Sequence, residues 1–184
     1  MKIAGIDYSM TSPAICIFDT ESPEFTFENC RLNFLTQLKK YDVKVKNIIG
    51  EYFEYEDDMQ RYDVISSKFI DIVLLNDVER VFIEDYSMGS RGRVFNIAEN
   101  TGILKYRLWQ FQIPVLGIAP TVIKKFATGK GNSDKQKMQD AFELECDLKL
   151  KHEFNMTDKQ WNPSSDIIDS YYICKYGYVN MEKL

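Results

Sequence analysis

At 184 residues and 45% apolar content the chain has the length for one buried core, read as a single domain over residues 1–184, and not for two. A net charge of −5 excludes a uniformly basic nucleic-acid-binding surface, although acids gather over residues 51–63 while residues 91–107 and 124–137 are locally basic. Cys16, Cys30, Cys146 and Cys174 lack C-x-x-C spacing and His152 is the only histidine, which speaks against zinc or a disulfide framework; with no bilayer-spanning run and no signal peptide, the expectation is a cytoplasmic protein with reduced thiols.

Residues 2–6, Lys2-Ile3-Ala4-Gly5-Ile6, read as a buried strand that turns through residues 9–13 into a second apolar strand over residues 14–18. Residues 25–35 alternate well enough for a third, completing an antiparallel meander. Residues 39–58 mix charges and aromatics without a period and read as an elaborated acidic connection. A helix over about residues 59–75 follows, with Val64, Ile65, Phe69, Ile72, Val73 and Leu75 as its apolar stripe. Residues 80–84 form the next strand, residues 94–111 a long helix containing Gly102, and residues 114–118 another buried strand. After Pro120 come a helix, a Gly129-Lys130-Gly131-Asn132 turn, and a helix from Ser133 to Leu144 with Ser133 or Asp134 near its cap. Asn162-Pro163-Ser164-Ser165 opens the final helix, with Asn162 as cap and Pro163 in the first helical position. The order implies an α/β fold: a five-stranded mixed sheet, its first three strands antiparallel, flanked by helices.

Four acids carry the chemistry. Asp7 and Glu84 each close a short apolar run, an expensive place for a charge unless it lies at the sheet's edge or binds something. Asp166 and Asp169 sit three residues apart and share one helix face; the helix dipole alone would also favour acids there. If these elements converge, the cluster repels itself, and a hard divalent cation with oxygen ligands relieves the repulsion. Two such ions suit hydrolysis of a phosphodiester, with Asp7 the candidate bridge and Glu84, Asp166 and Asp169 completing the individual sites.

Gly5-Ile6-Asp7 on the first strand, Ile83-Glu84 on the fourth, Asp166-x-x-Asp169 on the last helix and the Ala119–Lys135 segment resemble the RuvC family of Holliday junction resolvases, within the ribonuclease H-like superfamily. Tyr8-Ser9-Met10 stands where that family usually has Pro and Gly, and the long connection over residues 39–58 fits a divergent, phage-type member. The resemblance implies a homodimer in bacterial or phage-infected cytoplasm that nicks branched DNA in pairs with Mg²⁺ or Mn²⁺, leaving 5′-phosphate and 3′-hydroxyl ends. Lys124 and Lys135 match family lysines beside the scissile phosphate. The helix bearing Ile97, Leu104, Leu108 and Trp109 matches the dimer helix in position, although those residues would also serve an intramolecular core.

Lys125 and Lys130 add further positive charge to the DNA-binding candidates, and the loop after Glu84 offers Arg91 and Arg93 for phosphates. Tyr86 is the candidate to stack on an unpaired base, with Phe95 its competitor. Three alternatives stand beside a junction resolvase: a nuclease of forks or flaps, a non-catalytic ribonuclease H-like DNA-binding module, and an actin-like ATPase. The last normally needs two domains and glycine-rich phosphate loops that this sequence lacks.

Overall fold

Apolar alternation decides how the sheet is covered. The computed structural model describes residues 1–85 and 94–183. Strands β1 (Lys2–Asp7), β2 (Ala14–Asp19) and β3 (Cys30–Thr36) form the expected antiparallel meander, and β6 (Val78–Glu84) joins β1 in parallel with β7 (Val115–Ile118) outside it. On the other side lie β5 (Ile48–Tyr52), parallel to β3, and the two-residue β4 (Lys44–Val45). The sheet order is β4-β5-β3-β2-β1-β6-β7.

This corrects the expected five strands to seven. The extra pair lies in the stretch read as a connection, where β4 is too short to show a period and β5 is interrupted by Gly50, which lies against the Tyr41 carbonyl and the Phe34 ring. The third strand begins only at Cys30, yet Phe25 and Phe27 still reach the core from the preceding loop.

Ala4, Ile6, Val81 and Ile83 face helices α1 (Asp58–Leu75) and α2 (Val94–Gln110), packing with Ile65, Phe69, Val73, Leu104 and Leu108. Of the expected α1 stripe, Leu75 is left exposed at the helix end. Asp57 caps α1 by accepting from the Gln60 N–H at 2.8 Å. The opposite sheet face, with Ile3, Cys16, Phe18 and Phe82, is covered by α6 (Ser164–Asn180) and by α3 (Pro120–Thr128) and α4 (Lys135–Cys146), while the short α5 (Leu150–Glu153) adds Leu150. Asp134 caps α4, as the sequence suggests. Cys16, Cys30 and Cys174 are buried free thiols and Cys146 is partly buried. No helix among the described residues is long and apolar enough to cross a membrane.

The seating of α6 depends on two glycines. A Cβ on Gly5 would lie 2.1 Å from the Cys174 backbone nitrogen, and one on Gly177 would lie 2.3 Å from the Phe82 ring. Only hydrogen at these positions lets the helix lie this close to β1 and β6.

Candidate active site

Period-two alternation places Asp7 on the same sheet face as Ile3 and Gly5, and Glu84 on the face of Phe82, so both acids lie on the α6 side. One step beyond the Ile6–Ile83 pair, the register sets Asp7 beside Glu84 on parallel strands about 4.8 Å apart. α6, held down by Gly5, brings Asp166 and Asp169 over these strand ends. Asp7 there lies within electrostatic reach of Glu84, Asp166 and Asp169.

Burial pushes the Asp7 carboxyl well above the usual carboxylate range, and Asp166, Glu84 and Asp169 push it further against the pull of the Lys135 ammonium. Burial raises Asp169 to about 8, with Glu84 and Asp166 adding to the rise and Lys135 and Lys124 opposing it. Burial likewise raises Glu84 to about 7, with Lys124 the main opposing influence and Asp166 adding to the rise. Asp166 is also raised by burial, but hydroxyl donors from Ser12 and Ser9, the Lys135 charge and Ser165 hold it down. Lys124 and Lys135 therefore lie within electrostatic reach of the acids. Lys135 also places its Nζ 3.3 Å from Ser165 Oγ and 3.5 Å from Asn162 Oδ1.

Oxygen donors carrying excess negative charge suit a hard cation such as Mg²⁺ or Mn²⁺. Asp7, Glu84 and Asp169 accept no hydrogen bond from another side chain among the described residues, which leaves their oxygens available as ligands. No three acids among the described residues form a ready-made ligand set. The arrangement fits an ion that takes one or two carboxylates and fills its shell with water and phosphate oxygen, as Mg²⁺ commonly does.

Asn162 departs from its expected role. The N-cap position of α6 is Pro163, with no side-chain capping bond, and the Asn162 amide turns instead to Ser12 Oγ (2.8 Å) and Asp166 Oδ2 (3.2 Å). Ser9, Ser12 and Ser165, which sequence reasoning passes over, complete this polar surround. The available signals are Ser9-x-x-Ser12 directly after a strand-ending acid and the polar run Asn162 to Asp166.

Lys125 and Lys130 are solvent-exposed on α3 and in the following turn, without a tie to the acids. Phe95 is 81% exposed in the first turn of α2. Tyr86, Arg91 and Arg93 lie outside the described residues. Within α2, Leu104 and Leu108 are intramolecular core, whereas Ile97 and Trp109 are exposed.

No protein-family model matches the chain, and no curated protein matches its sequence. Solved structures do. Thermus thermophilus RuvC superposes with a TM-score of 0.65 at 14% identity, over 100% of this chain and 96% of that one. The yeast mitochondrial Holliday junction resolvase Ydc2 gives 0.58 at 12% identity, over 96% and 77%. The fowlpox virus resolvase, solved with substrate Holliday junction DNA, gives 0.53 at 15% identity, over 98% and 99%. The fold is that of the Holliday junction resolvases. On this resolvase fold the four acids lie where two neighbouring parallel strands end beneath the first turns of the last helix, in the chain order read from the sequence.

Proposed function

We propose that the chain is a metal-dependent, structure-selective endonuclease that resolves four-way DNA junctions as a homodimer. The observation that carries this reading is the meeting of Asp7, Glu84, Asp166 and Asp169 at one partly buried patch bordered by Lys124 and Lys135. The fold shared with solved Holliday junction resolvases supports the choice of substrate.

The reaction is hydrolysis of a phosphodiester: water adds to phosphorus in line, the bond to the 3′ oxygen breaks, and that oxygen takes up a proton. The products are a 5′-phosphate and a 3′-hydroxyl. Bound Mg²⁺, or Mn²⁺ in its place, supplies activation of the water and stabilisation of the leaving oxygen. The acids hold the cations, and Lys124 and Lys135 position the phosphate and stabilise its developing charge. Lys125, Lys130, Arg91 and Arg93 neutralise flanking backbone, and Tyr86 or Phe95 stacks on an unpaired base at the branch.

The test is cleavage of a synthetic immobile four-way junction in Mg²⁺, with product ends mapped on all four strands beside matched fork, flap and linear substrates. Symmetric cuts across the junction are expected. Asp7→Asn and Glu84→Gln are expected to abolish nicking while junction binding remains measurable. Faster cutting of forks or flaps would reassign the enzyme to other branched DNA, and parental cutting by either variant would remove that acid from the site.

A further inference from the structure

Donors crowd one oxygen of Asp166 and leave the other with a single shared one. Ser9 Oγ at 2.8 Å, Ser12 Oγ and Asn162 Nδ2 at 3.2 Å all donate to Oδ2. Among the described residues Oδ1 has Ser165 Oγ alone, at 3.1 Å, and the single Ser165 proton is shared with Asn162 Oδ1 at 3.0 Å. A carboxylate oxygen has about two lone-pair directions, so Oδ2 is saturated while Oδ1 keeps capacity. The serine protons are committed: Ser9 Oγ accepts from the Ser12 N–H at 3.1 Å and Ser12 Oγ from Asn162 at 2.8 Å, so each hydroxyl proton is directed to Asp166.

Ser9 and Ser12 belong to the turn between β1 and β2, and that turn is held from behind. Arg61, on α1, is 2% exposed, donates through Nη2 to the Met10 carbonyl and lies with its Cζ 4.7 Å from the Tyr55 ring centre. Its Nε has no hydrogen-bond partner, and no carboxylate ion-pairs with it among the described residues. Burying a guanidinium with so little compensation is costly, and the Met10 carbonyl and the Tyr55 ring are the partners it has among the described residues.

We propose that the Ser9–Ser12 turn, clamped by Arg61 through Met10, turns Asp166 so that Oδ1 alone faces the cation. Arg61, Ser9 and Ser12 are then positioning residues for a metal ligand, acting from outside the reacting atoms. The inference rests on the nuclease reading and deepens it.

The experiment measures Mn²⁺ binding to the full chain by calorimetry without DNA, then the Mg²⁺ concentration giving half-maximal junction cleavage. The Ser9→Ala/Ser12→Ala double variant is expected to weaken Mn²⁺ binding about 10–100-fold and raise the Mg²⁺ requirement, with junction affinity in EDTA unchanged. Arg61→Met should act in the same direction, and Arg61→Lys, which keeps a donor for Met10, should recover most of the loss. Adding Arg61→Met to the serine double variant should cost little more, because both act along one path; full additivity would assign Arg61 a general structural role and overturn its part. Should Arg61→Met fail to fold, the serine variants decide. Parental Mn²⁺ affinity in the serine double variant, with the parent binding and cutting, would overturn the inference; a parent that neither binds metal nor cuts would remove the nuclease reading itself.

Discussion

The acids of the site work against the stability of the metal-free protein. Glu84 is held near 7 and Asp169 near 8 because burial and neighbouring carboxylates disfavour their charged forms. An acid whose folded pKa stands above its unfolded value keeps its proton longer in the folded state. Its contribution is favourable below the ordinary carboxylate range of roughly 4 and is lost as pH rises through the raised value. The melting temperature in EDTA should therefore fall between about pH 5 and 8. Asp169→Asn, which removes one of these ionisations, should flatten that fall and melt above the parent at pH 8, each kcal/mol appearing as about 2–4 °C. A cation competes with protons for the same oxygens, so Mg²⁺ should raise the parent's melting temperature more at pH 8 than at pH 6 and should do little for Asp169→Asn. Scanning fluorimetry across pH, with EDTA or Mg²⁺, reads all three; a pH-independent melting temperature in EDTA would show that burial and neighbouring carboxylates do not raise these acids.

The acids become a cluster through elements, and the decisive one is α6 lying on β1. At Gly5 a methyl group would meet the backbone of α6 itself, the Cys174 nitrogen at 2.1 Å and the Ser170 carbonyl oxygen at 2.6 Å, so the helix rather than a side chain must move. Gly5→Ala should cost about 1–3 kcal/mol in urea unfolding, as overpacked cores do, and should reduce cleavage by shifting Asp166 and Asp169 from Asp7. Unchanged unfolding would mean that α6 is not seated as described. Much of this was legible in the sequence because it rests on local period: Ile3, Gly5 and Asp7 share a face by alternation, and Asp166 and Asp169 share one by helical spacing. β4 and β5 were not, since a two-residue strand has no period and β5 owes its place to β3, a tertiary partner. The surround of Asp166 was equally hidden. Ser12 and Asp166 are 154 residues apart, and Asn162, with the local signature of a cap, meets Ser12 only after the chain has closed on itself.

At the scale of the molecule, the proposed resolution of a junction carries a further requirement: one patch would cut one strand, and two cuts would need a second copy held in fixed relation to the first. We propose α2 as the surface for that contact. Leu104 and Leu108 are spent in the core, but Trp109 is 70% and Tyr106 58% exposed, their rings stacked with centres 5.9 Å apart, and Phe95, eleven residues before Tyr106, continues that face towards the start of the helix. Large aromatics are the usual anchors of protein contacts, and a charge at such an anchor weakens the contact without entering the fold. Trp109→Lys should shift sedimentation from dimer to monomer and make the melting temperature independent of protein concentration, whereas Leu104→Ala should lose about 2–5 kcal/mol of stability. On a supercoiled plasmid bearing a cruciform, the parent should give linear product from paired cuts within one binding event. Trp109→Lys should give nicked circles, because single copies cut and depart independently. A Trp109→Lys protein that still sediments as a dimer and still linearises the plasmid would move the contact away from α2.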